Sequence, residues 1–115
     1  MRQLSHEKLE VYQISVKFLA VAYKLVDSAP RGNASVLDQL RRASQSIILN
    51  IAEGAGYPST GKTKHHYAIA RGSALECGAA LDIFKIIGIA DETLILEGKE
   101  QLVSIVSMLS KMCRP

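Results

Sequence analysis

Apolar residues recur along this chain in four stretches at helical spacing, and polar residues fall on stripes between them instead of alternating. In the first stretch, about residues 8–27, Gln13, Lys17 and Lys24 share one narrow stripe. Leu9, Val11, Tyr12, Ile14, Val16, Phe18, Leu19, Ala22, Tyr23, Leu25 and Val26 fill the remaining circumference. A surface helix usually has an apolar arc a little over about 100° wide, and this one is about twice that. A four-helix core would leave part of such an arc bare, so the pattern predicts a second packing partner, most simply another copy of the chain. Pro30 and Gly32 end the stretch.

The second stretch covers about residues 35–53, with Ser35 as N-cap and Asp38 favouring the helix N-terminus. Val36, Leu37, Leu40, Ser44, Ile47, Ile48 and Ile51 form its inner face, and Gly54 is placed as its stop. A loop with Gly56, Pro58, Ser59 and Gly61 follows. The third stretch, about 62–87, is rich in small residues. A glycine inside a helix costs about 1 kcal/mol relative to alanine, so Gly72 and Gly78 call for a reason, and close approach of another helix is the physical one. Gly88 closes this stretch. The fourth, about 91–113, starts at Asp91 as N-cap and turns Leu94, Ile95, Leu102, Ile105, Val106, Leu109, Met112 and Cys113 inward. Each helix is about 30 Å long and the connections are short, so neighbours should run antiparallel. The expected fold is all-α, one domain over residues 1–115, an antiparallel up-down four-helix bundle.

Composition narrows the function more than the fold. With 5% aromatic residues and no Trp, the chain lacks the stacking platforms of single-strand RNA readers. A net charge of +3 permits contact with nucleic acid without demanding it. Cys77 and Cys113 lie far apart with no CxxC, which speaks for two reduced core thiols and against zinc. Residues 1–10 contain no signal core, and no apolar run approaches the ~20 residues of a membrane span, so the expected compartment is the cytoplasm.

Residues Gly56–Thr63 fit the phosphate-loop pattern GxxxxGK[ST] at every position. That loop works only between a buried strand and a helix, and here a helix precedes it. The segment is read as an interhelix loop whose Lys62 and Thr63 open the next helix, and nucleotide binding is a remote alternative.

On the second helix Gln39, Arg42, Ser46, Asn50 and Glu53 form a polar stripe beside the apolar face, and on the third Ser73 and Glu76 lie one turn apart. These predict a hydrogen-bonded network between packed helices, with Arg42 and Glu76 as partners; a binding groove is the alternative. Glu53 and Glu76 lack a His or Cys placed to make a catalytic relay. His65 and His66 point about 100° apart on a helix, and His6 is distant in sequence. No Glu precedes a His by three positions, so neither a three-His zinc site nor a di-iron bundle is expected, and no cofactor. Lys62, Lys64, His65, His66 and Arg71 make the start of the third helix basic, as a solvated face or a phosphate contact.

Three motifs carry a resemblance. Leu9-Glu10-Val11-Tyr12 looks like an opening signature. Gln39-Leu40-Arg41-Arg42-Ala43, Ser46-Ile47 and Asn50-Ile51-Ala52-Glu53-Gly54 look like a second-helix motif, and Ala70-Arg71-Gly72-Ser73-Ala74-Leu75-Glu76 like a third-helix one. Together they resemble the bacterial four-helix-bundle family named for proteins encoded in intervening sequences of 23S ribosomal RNA genes. The resemblance implies a homopentamer with no established enzymatic activity. Similar pentameric bundles serve as accessory proteins of diversity-generating retroelements, working with a reverse transcriptase and its RNA through basic surfaces. Carried over by position, Arg42, Ser46, Asn50, Glu53, Gly54, Gly72, Ser73 and Glu76 would serve packing and loop anchoring. Ile48 stands where many relatives have Pro, Tyr57 and Pro58 occupy loop positions that are often basic, and Ser59 with Lys62 replaces a capping box with an acidic third residue. The expected function is a non-enzymatic oligomeric scaffold or RNA-associated accessory protein; the alternative is an interaction module for a polypeptide such as a reverse transcriptase.

Overall fold

The computed structural model describes residues 2–88 and 90–114. A 3-10 turn, Ser5–Lys8, leads into four helices: α1 (Glu10–Ser28), α2 (Ala34–Gly56), α3 (Thr60–Ile87) and α4 (Glu92–Met112). There is no strand among the described residues. Each helix packs against two others, α1 and α3 both lying against α2 and α4, and the 3-10 turn lies against α1 and α2. The molecule measures 44 × 33 × 21 Å, and its long dimension is close to the ~42 Å of a 28-residue helix such as α3.

The core is filled by Phe18 and Leu25 of α1, Leu40, Ile47 and Ile51 of α2, Leu81 and Phe84 of α3, and Ile105 and Leu109 of α4, all fully buried. Ser15 and Ser44 are buried among them. Each hydroxyl donates to a carbonyl of its own helix, Val11 and Arg41 respectively, so neither needs a partner across the bundle.

The helix ends follow local chemistry. Asp91 caps α4 by accepting from the Thr93 amide at 2.7 Å. Gly88 ends α3 in the left-handed conformation, φ 68°, with its amide on the carbonyls of Phe84 and Lys85. Three expected ends are corrected. Helix α2 starts at Ala34, with Asn33 before it, so Ser35 lies inside the first turn; the Asn33 side chain donates its Nδ2 back to the Pro30 carbonyl at 3.2 Å. Nor does α2 stop at Gly54, which keeps a negative φ while the helix runs on to Gly56. Tyr57 ends it, because the residue before Pro58 is pushed into extended backbone, φ −85° and ψ 138°. Helix α3 begins two residues earlier than expected, with Ser59 accepting from the Lys62 amide at 3.4 Å.

The wide apolar arc of α1 is also corrected. Val11, Phe18, Val21, Ala22, Leu25 and Val26 are buried, and Leu9, Tyr12 and Ile14 pack against the core half-buried. Val16 alone among its large apolar side chains is counted as exposed, at 43%. Contacts with α2, α4 and the 3-10 turn cover the rest. Most of the surplus apolar surface sits elsewhere, on α3 and α4, where Leu75, Ile83, Leu96 and Val103 are exposed, with Leu49 exposed on α2. No helix of the described chain is long and apolar enough to cross a membrane.

Candidate functional site

A polar seam runs between α2 and α3. At one end Gln39 donates to Glu76 at 2.7 Å. Farther along, the Ser73 hydroxyl donates to Ser46 Oγ at 2.8 Å. The Asn50 amide nitrogen donates to the Ser46 carbonyl at 3.0 Å and to Ser46 Oγ at 3.2 Å. That orientation turns Asn50 Oδ1 toward His66 Nδ1, 2.9 Å away. A carbonyl oxygen only accepts, so this network assigns the ring proton to Nδ1.

His66 Nδ1 also lies 3.8 Å from Glu53 Oε2, and Tyr57 donates to Glu53 Oε1 at 3.2 Å. The Tyr57 ring stacks on His66 with centroids 5.2 Å apart, and Lys62 Nζ stands 5.4 Å from the Tyr57 centroid. The hydrogen bond to Glu53, then its negative charge, raises the Tyr57 phenol above its ordinary value. Gly54 makes this end close up: a Cβ there would stand 2.8 Å from Tyr67 Cε1 and 3.2 Å from His66 Cβ.

The expected network is therefore present through Ser46, Asn50, Glu53 and Glu76, but Arg42 is not part of it. Arg42 pairs with Asp38 one turn back at 3.1 Å, with its side chain 77% exposed, and Gln39 takes Glu76 instead. Within the single chain no other helix comes close to Gly72 or Gly78, since a Cβ at either would meet nothing within 4 Å. Gly98 takes the close-packing role with Gly54: a Cβ there would stand 3.1 Å from Leu81 and 3.3 Å from Phe18. Sequence reasoning missed Gly98, whose signal was a glycine at the turn spacing of Ile95, Leu102 and Ile105.

The five expected basic residues do not gather in one patch. His66 is turned into the seam, Lys62 lies by Tyr57, and His65 stands edge-on to His66 at 5.4 Å. Lys64 and Arg71, seven positions apart, share another face of α3. Arg71 crosses to α4, where its Nε donates to Ser110 Oγ at 2.7 Å. Ala68, Arg71, Ser110, Cys113 and Arg114 line a cavity of about 360 Å³ there.

Farther along the same pair of helices is an open apolar groove of about 530 Å³, formed by Ala74, Leu75, Gly78, Leu102, Val103 and Val106. The ion pair of Asp82 with Lys99, at 2.5 Å, stands at its edge. Leu75 is 49% exposed and Val103 70%. Val103 was visible in the sequence as an apolar residue outside the inner face assigned to the fourth helix.

Among the described residues no group of three His, Cys, Asp or Glu is arranged to hold a metal. The two seam serines bond to each other, and His66 reaches an amide, not a hydroxyl. Burial, then the nearby Glu76, pushes the Cys77 thiol up to about 12, which keeps it protonated at neutral pH. Residues Gly56–Thr63 join two helices, with Gly56 ending α2 and Thr60 starting α3, so the strand of a phosphate loop is replaced by helix.

Fold and site together define a small all-α protein of four packed helices, tied by a polar seam on one side and bearing an apolar groove on another. Residues 7–111 match the family described as 23S rRNA-intervening sequence protein, and the chain belongs to that family. Among curated proteins nothing matches it.

Proposed function

We propose that the chain is a non-enzymatic, homo-oligomeric scaffold of antiparallel helix bundles, built from five copies and associated with RNA in the cytoplasm. The observation that carries this reading is the apolar surface of α3 and α4, where Leu75 and Val103 line an open groove and Ile83 and Leu96 are exposed on the same two helices. Apolar surface concentrated on one pair of helices favours a protein partner, and a second copy is the simplest one. The antiparallel arrangement is supported by two pairs of opposed order between α2 and α3, Gln39 with Glu76 and Asn50 with His66, and by two between α3 and α4, Arg71 with Ser110 and Asp82 with Lys99. RNA is favoured by the net charge of +3, repeated in every copy.

Light scattering on the purified chain tests the assembly: five copies are expected, and a monomer at micromolar concentration overturns it. Retention of a structured RNA that weakens steeply with salt tests the second half, and no retention at low salt removes it. The groove also favours a second reading, a polypeptide partner such as a reverse transcriptase, because its lining is mostly apolar and its one cation, Lys99, is paired with Asp82. Co-purification with a polypeptide that survives nuclease treatment would favour that reading.

A further inference from the structure

We propose that the cavity between α3 and α4 at Arg71, Ser110 and Arg114 is a binding pocket for a phosphate group, and that the phosphate it takes is a phosphodiester of an RNA backbone. The second half rests on the RNA reading above; the pocket itself does not.

The pocket is lined by Ala68, Arg71, Ser110, Cys113 and Arg114, none of them acidic. Its volume of about 360 Å³ is within the usual ligand range of about 300–1,000 Å³. Arg71 is half-buried, and its reach is set by one bond, Nε to Ser110 Oγ at 2.7 Å. That bond uses the inner edge of the guanidinium and leaves the paired Nη groups to meet two oxygens of one anion, the geometry that suits phosphate. Ser110 accepts with its oxygen, which leaves its own proton to donate to the same anion. Arg114 supplies a second guanidinium from the end of α4.

The surroundings have one sign. Helix α3 carries Lys64 and Arg71 on one face before its first acidic side chain, Glu76, and residues 101–114 carry Lys111 and Arg114 with no Asp or Glu. Among the described residues no carboxylate pairs with Arg71 or Arg114. The nearest competing acids by element are Glu53, held by Tyr57 on the α2 side, and Glu10, beside Lys111 between α1 and α4. Partly buried charge is normally paired, and here the protein provides a serine but no counter-ion. The apolar groove begins about one turn farther along, at Ala74 and Leu75, so a copy seated there leaves this pocket at the edge of the assembly.

Inorganic phosphate titrated into the full-length chain at low salt is expected to shift the Arg71 Nε–H and the Ser110 and Cys113 amide resonances saturably. Arg71→Gln, and separately Arg114→Gln with its exposed side chain, should weaken that response at least several-fold while the circular dichroism melt stays intact. With a structured RNA as probe, Arg71→Gln should lower the slope of log affinity against log salt by about 1, the loss of one phosphate contact. Arg42→Gln, on α2 and outside the pocket lining, should leave phosphate binding unchanged. Absence of a saturable phosphate response overturns the pocket, whatever RNA does. A normal phosphate response with an unchanged RNA slope overturns the phosphodiester assignment. Failure of the wild-type chain to retain RNA at all is a failure of the earlier reading, and the phosphate titration then still decides the pocket.

Discussion

Gly54 lies beneath the ring of Tyr67, so close that a Cβ would stand 2.8 Å from Cε1. Gly72, on the facing helix, has open space where its Cβ would be. The two glycines therefore respond to alanine in opposite senses. Gly54→Ala should destabilise the fold by about 1–3 kcal/mol, because Tyr67 is itself buried and cannot swing aside freely. Gly72→Ala should be neutral or stabilising by up to about 1 kcal/mol, since it removes the helix penalty of glycine and meets nothing. Urea unfolding of both variants measures the difference, and a destabilised Gly72→Ala would mean that something outside the single chain packs there.

Asn50 joins the Ser46 side of the seam to the His66 side. Asn50→Ala removes the acceptor for His66 and a donor to Ser46 together, with an expected loss of about 1–3 kcal/mol. His66→Ala should cost a comparable amount, and the double variant less than the sum of the two. Additive losses in a double-mutant cycle would show that the two side chains act separately.

Cys77 is fully buried and its thiol is raised from 9 to about 12, whereas Cys113 is half-buried. A thiol reagent at pH 8 should modify Cys113 within the time needed to unfold only a small fraction of Cys77, and denaturant should release the second thiol. In the unfolded chain Cys77 ionises near 9, so the folded state is favoured fully below that pH and progressively less as pH rises toward 12. Burial raises the Tyr67 phenol in the same direction. Unfolding midpoints measured between pH 8 and 11 should fall, and Cys77→Ala should flatten part of that fall.

Val103 is 70% exposed on the rim of the apolar groove. Val103→Lys puts a charge there without touching the core. It should lower the mass in solution from several copies to one at micromolar concentration, with an unchanged helical spectrum. An unchanged mass would place the contact between copies on another surface.

Much of the fold was legible from residue pattern alone. Four helices, the Asp91 cap and the Gly88 stop follow from periodicity and from side chains that act on their own backbone within a turn or two. The polar stripe of α2 was legible for the same reason, as residues three or four apart share a face. What remained hidden depended on distance across the bundle. Whether a glycine is a gap or a necessity depends on which side chain stands opposite, so Gly54 and Gly98 are close-packed while Gly72 and Gly78 are open. Arg42 chose Asp38, one turn away on its own helix, over a carboxylate on the next, because Gln39 already reaches Glu76. The apolar arc of α1 told how much surface needed cover but not what would cover it. Burial is a sum over neighbours, and only the packed helices placed α1 inside and left Leu75 and Val103 facing out. The sequence determined where the helices form and which residues share a face; the tertiary structure decided which face meets which, because contacts between helices depend on positions far apart in the chain.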